Sequence, residues 1–184
     1  MFPEGRRKAG IRSRACGDVA VEEPRLVIPR HLLQRIIEHC LEENPIEACG
    51  ILTGRNGRVF HAYATDNSKR SPAYYEVDRA QQELVLQRAA EQGEEVVAIY
   101  HSHPTSPAVP SRTDIRMAVH YPDAYRVIVS LLGPTEVRAF LIRDGKVRNV
   151  KLHAPVDAGG EWYDLRGGIR RAGSDWPDTD GTAQ

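Results

Sequence analysis

The chain of 184 residues is short of several things that would direct a reading elsewhere. It has no charge of one sign: 25 Lys and Arg offset 25 Asp and Glu, so the formal net charge is zero. A dedicated nucleic-acid binder shows a basic excess, and that class is set aside. It lacks any apolar run of about 18 residues, so no segment reads as a membrane-spanning helix. The basic first residues are followed by no apolar stretch, so Arg6-Arg7 does not read as a twin-arginine export signal, nor the N-terminus as a secretory peptide. Cysteine is scarce: Cys16, Cys40 and Cys49 are odd in number and unrelated in spacing. Reduced thiols in the cytoplasm are the expectation. No C-x-x-C is present, which counts against a zinc deaminase. There is no internal repeat and no low-complexity tract.

What is present is an alternation of short apolar segments between two polar ends. Residues 1–24 carry almost no apolar periodicity and read as a disordered arm. Residues 156–184 hold two Gly-Gly pairs and an acidic finish; they read as a tail, partly disordered, whose first part Trp162, Tyr163 and Leu165 can pin down. Between them, residues 25–155 form one domain, long enough to bury a core without disulfides.

Within that domain Leu32, Leu33, Ile36, Ile37, Cys40 and Leu41 make one apolar helix face, begun after Pro29 and ended by Asn44-Pro45. Two strands follow, Glu47 to Gly54 and Arg58 to Thr65, joined by Asn56-Gly57, a hairpin signal. A polar loop leads to a helix from about Asp78 to Gln92, closed by Gly93. The run EVVAIYHSH reads as a buried strand stopped by Pro104. A short helix begins at Ser111, and three strands follow: YRVIVSLL, EVRAFLIR and KVRNVKLH. The fold class is α/β, a mixed sheet covered by two long helices and a short one.

The chemistry concentrates between Tyr100 and Asp114. His101 and His103 are two apart on a strand, so both imidazoles leave one face. Pro104 puts them at a strand end or sheet edge. Asp114, in the first turn of the next helix, adds an oxygen ligand. Two histidines, a carboxylate and a water are the makings of a catalytic zinc site, whereas structural sites close with four protein ligands. Ser111-x-x-Asp114 is equally a capping-box pattern that needs no metal, and the two readings are compatible. Glu47 taken alone reads as a surface carboxylate. Cys49 shares its face and reads as a small buried hydrophobe, or as a thiol open to oxidation near zinc. His31, His39, His61 and His120 have no partner at ligand spacing. Tyr74 and Tyr75 are core anchors or groove residues, and Arg112 and Arg116 are exposed charges or contacts for a substrate carboxylate.

Glu47, His101-Ser102-His103-Pro104, Ser111 and Asp114 together resemble the JAMM (MPN+) metalloprotease signature, a glutamate followed by H-x-H-x7-S-x2-D. All five positions match, and the order of elements from about Leu26 to His153 is similar to that of the JAB1/MPN domain, a curved mixed sheet flanked by helices. EACG and HSHPTSPAVPS resemble the compact prokaryotic branch, and within it the actinobacterial Mec-type hydrolases. The resemblance implies His101, His103 and Asp114 as ligands of one Zn²⁺, Glu47 as general base and Ser111 as donor to the oxyanion. It implies a peptidase or isopeptidase acting after the C-terminal Gly-Gly of a ubiquitin-like sulfur-carrier protein, releasing cysteine in cysteine biosynthesis. A general isopeptidase for ubiquitin-like modifiers and a non-catalytic MPN scaffold are the alternatives. A DNA-associated protein of the RadC type fits poorly with neutral charge.

Overall fold

In a computed structural model, residues 24–156 and 158–167 are described; the arm at residues 1–23 and most of the tail lie outside them. The elements run β1 (Arg25–Val27), α1 (Arg30–Glu43), β2 (Cys49–Arg55), β3 (Arg58–Thr65), α2 (Arg79–Glu91), β4 (Glu95–His103), α3 (Arg112–Met117), a 3₁₀ turn (Ala118–His120), β5 (Tyr125–Ser130), β6 (Glu136–Arg143), β7 (Lys146–His153) and β8 (Glu161–Asp164). The strands form one mixed sheet in the order β1-β7-β6-β5-β4-β2-β3-β8. A further bridge, Val27 to Arg58, joins β1 to β3 and curls the sheet back on itself.

Local chemistry accounts for most of these elements. Asn56 and Gly57 both take positive φ, as do Asp144 and Gly145. These are the two-residue turns whose twist matches that of paired strands. The α2 N-terminus is capped by Asp78, whose side chain accepts from the Gln81 N–H, and its C-terminus ends on Gly93 at φ +64°. Gly50 has a packing reason: a Cβ there would lie 2.3 Å from the Tyr100 ring. Only a residue without one lets that ring cross the strand.

Two strands escape the sequence pattern. β1 is three residues long and pairs in parallel with β7. β8 pairs in parallel with β3, Ala62 opposite Trp162 and Tyr63 opposite Tyr163. The start of the tail is therefore part of the sheet. Leu165 is fully buried beyond it, and Arg166 ties Asp164 to Glu42 and Glu43 of α1.

Because side chains alternate along a strand, the sheet has two unlike faces. One packs on α1, where Leu32, Ile36 and Cys40 meet Leu52, Ala98, Tyr100, Val127 and Val129. The other faces α2 and α3, and the candidate site lies there.

Candidate metal centre

β4 is an interior strand, between β2 and β5. His101 and His103 sit at its C-terminal end, so it is the strand end and not a sheet edge that opens the site. The register places His101 beside Cys49 on one side and Ile128 on the other. Ser102, between the histidines, points to the opposite face. Its Oγ accepts from the Ala48 N–H at 2.8 Å, and its own N–H donates to the Ala48 carbonyl. That clamp fixes the backbone next to Glu47. Ser102 was legible as part of the motif, but nothing in its spacing announces this task.

Asp114 reaches the histidines from the third position of α3. Ser111 is the N-cap, and the capping box is complete. Ser111 Oγ accepts from the Asp114 N–H at 3.1 Å, and the Ser111 N–H donates to Asp114 Oδ2 at 2.7 Å. The cap thus orients the carboxylate as well as starting the helix. Oδ1 lies 3.3 Å from His101 Nε2, and Oδ2 3.5 Å from His103 Nε2. The two Nε2 atoms are 3.1 Å apart, and His101, His103 and Asp114 are all buried.

The hydrogen bonds around the cluster suit a cation. Burial opposes charge on His103, but Asp114 and the Pro107 carbonyl outweigh it and raise its pKa. Its Nδ1 donates to that carbonyl at 2.8 Å, which in the neutral ring leaves the Nε2 lone pair facing inward. An outer acceptor of this kind is what holds a metal-ligating histidine in one tautomer. His101 has no acceptor at Nδ1; its ring is held by stacking on Tyr75, centroids 4.4 Å apart. Burial opposes the charge on Asp114, but the facing histidines and the Ser111 cap outweigh it and hold the carboxyl well below the usual range. Burial also lowers the pKa of His101, which favours the neutral, ligating form. Two imidazole nitrogens and a carboxylate with ligand atoms within 4.8 Å of one another can hold a metal ion. That is the mixed donor set of catalytic zinc sites.

Glu47 lies two residues before β2, not within it, and is 6% exposed. It lines the same cavity, of about 400 Å³, as His103, Ser111 and Asp114. Burial pushes its carboxyl up to about 7; His103 pulls it down and Asp114 adds to the rise. Asn67 organises the loop over this corner. Its Nδ2 donates to the carbonyls of Glu47 and Tyr74, and its Oδ1 accepts from the N–H groups of Lys69 and Glu76. In the sequence Asn67 is only one more turn former in a polar loop.

The remaining candidates divide. Tyr74 and Tyr75 both line the cavity. Cys49 is buried against Thr65 and Asp66, and burial pushes its thiol up to about 12. A thiol held protonated is inert, so the packing role applies. His39 is buried, with Nδ1 2.8 Å from the Tyr100 hydroxyl. His61 meets Glu94, and His31 the Gly160 carbonyl. His120 lines the cavity wall. Arg112 and Arg116 are exposed and do not line the cavity; the arginine that does is Arg126.

Comparison with known proteins agrees with this architecture. Residues 29–143 match the family described as prokaryotic homologs of the JAB domain. The chain belongs to that family. It is 42% identical over 127 residues to the CysO-cysteine peptidase of Mycobacterium tuberculosis, covering 66% of this chain and 86% of that protein. It is 31% identical over 128 residues to a desampylase of Pyrococcus furiosus, covering 69% and 89%. A solution structure of a protein from Desulfitobacterium hafniense superimposes with a TM-score of 0.63 at 27% identity, covering 72% of this chain and 95% of that one. None of the described helices is long and apolar enough to cross a membrane.

Proposed function

We propose that this chain is a zinc-dependent peptidase that hydrolyses the bond after the C-terminal Gly-Gly of a ubiquitin-like sulfur-carrier protein and releases cysteine. The observation that carries the reading is the convergence of His101, His103 and Asp114 at the wall of a cavity lined by His103, Asp114, Glu47 and Ser111. The identity to a CysO-cysteine peptidase over 86% of its length supports the choice of substrate.

His101, His103 and Asp114 would hold one Zn²⁺, which when bound supplies Lewis-acid polarisation and makes a water acidic enough to ionise near neutral pH. The chain's own groups do the rest. A carboxyl held near pH 7 exchanges protons in both directions at neutrality. Glu47 therefore takes the proton of the attacking water and returns it to the departing amine nitrogen. Ser111 Oγ spends a lone pair on the Asp114 N–H and keeps its own proton to donate to the carbonyl oxygen as charge develops there. Asn67 holds the Glu47 carbonyl, and Ser102 holds the backbone of Ala48 next to it. A glycine tail suits this arrangement, because close backbone approach leaves no room for a Cβ.

Mass spectrometry of a carrier–Gly-Gly–cysteine conjugate, before and after incubation with the protein, tests the reading. The expected product has lost one cysteine residue and kept its Gly-Gly end. Cleavage of a lysine-linked conjugate with the cysteine conjugate untouched would make the chain a general isopeptidase instead. Equal cleavage of unrelated unfolded peptides would overturn carrier specificity altogether.

A further inference from the structure

Arg126 is a buried charge that, among the described residues, has no carboxylate in contact; the opposite charge acting on it is Asp114 of the same cavity. It is 3% exposed, on β5, yet it belongs to the cavity wall. Its register partner on β4 is Ile99, two residues before His101 on the same sheet face. It stands about 7 Å along the strand from the histidine row. The guanidinium donates only to main-chain carbonyls: Nη1 to Ala124 and Tyr125, Nη2 to Ala118 and Tyr121. These bonds use the four Nη hydrogens and leave Nε–H without a protein partner. Among the described residues no carboxylate forms an ion pair with it. Among the described residues it is the one arginine or lysine that lines the cavity. Buried cations are ordinarily paired, and a fixed, unpaired one facing a concave cavity is a site for an anion.

Resting on the reaction proposed above, we infer that Arg126 is a specificity-determining residue that receives the α-carboxylate of the departing amino acid. In the conjugate the carrier's terminal glycine is an amide and carries no charge. An α-carboxylate within one residue of the scissile bond exists only on a single terminal amino acid joined through its α-amine. A lysine of a folded target, joined through its side chain, presents no such group there. The wall around Arg126 suits a small leaving residue: Ile99, Val77 and Met117 are apolar, and Tyr75 and Tyr121 flank them. Arg126 thereby separates release of a free amino acid from cleavage of a protein–protein conjugate.

The test compares carrier–Gly-Gly–cysteine with carrier–Gly-Gly–cysteamine, which keeps the thiol and lacks the carboxylate, on the zinc-loaded full chain. The wild type should show a kcat/KM about ten- to a hundredfold higher for the cysteine conjugate, the scale of one hydrogen bond to a charged group. Arg126→Gln should erase most of that ratio. Equal rates on the two conjugates in the wild type, or an unchanged ratio in the variant, would overturn the assignment; the wild-type comparison needs no variant to fold. Failure to cleave either conjugate would overturn the reaction, and calorimetry then decides the site separately. Free L-cysteine binding more tightly than cysteamine, with the difference lost in Arg126→Gln, upholds it; equal binding refutes it.

Discussion

The two faces of the sheet are made from neighbouring residues of the same strands and do opposite work. On β4, Tyr100 and Ser102 turn to α1, His101 and His103 to the cavity. The α1 face is apolar and closed: Leu32, Ile36, Leu52, Ala98 and Val127 are buried in one cluster. Its few polar groups include His39, whose Nδ1 meets the Tyr100 hydroxyl. The cavity face gathers Glu47, His101, His103, Asp114 and Arg126, each buried, and turns their polar atoms inward. One face supplies the apolar burial that holds the polar groups of the other in place. Register is what separates them, since a slip of one residue would exchange the two sets.

The comparison breaks most completely at His103. His103→Ala should lose the metal and all measurable turnover while the α1 face keeps the protein folded, as read by circular dichroism beside elemental analysis. Glu47→Gln should keep fold and metal, and lower turnover by about 10²–10⁴, the usual cost of removing a general base. Near-normal turnover in that variant would remove Glu47 from the mechanism. On the other face, Leu52→Ala should cost about 2–5 kcal/mol of stability in denaturant unfolding, the range for large-to-small core changes. It should leave metal content per folded molecule unchanged; loss of metal there would show that the faces are not separable.

The smallest effect, taken over a single pH unit, is in the pH dependence. Burial lowers the His39 pKa from 6.5 to about 3. Above about 6.5 both folded and unfolded forms are neutral and the stability is intact. As pH falls below that value the unfolded chain takes up a proton the native state refuses. Stability then declines by about 1.4 kcal/mol per pH unit until about pH 3. Unfolding curves at stepped pH should show this slope, and His39→Leu should flatten it.

How much of this was legible follows from what each residue owes to its neighbours in sequence. α1, the β2–β3 hairpin, α2 and β4 declare themselves through period and turn chemistry, and His101, His103, Ser111 and Asp114 through a motif confined to one strand, one loop and one helix. Glu47 was readable only as a member of that set, because the cavity that buries it is lined by residues distant in sequence, from the loop at 72–77 to Arg126. β1 is too short to show a period. β8 has no pattern of its own and exists because β3 offers an edge and Arg166 finds Glu42 and Glu43. Arg126 is the second residue of a strand that continues Val127-Ile128-Val129, and a charged residue at a strand's start is naturally expected to reach solvent. Its burial depends on carbonyls at 118, 121 and 124 converging in space, which no local pattern records.

In the proposed reaction His101, His103 and Asp114 hold one catalytic ion. Elemental analysis of the purified protein, paired with turnover before and after chelation, tests it most directly. About one zinc per chain is expected, with turnover lost on its removal and restored on its return. Protein with no bound transition metal, and turnover indifferent to the chelator, would contradict the claim.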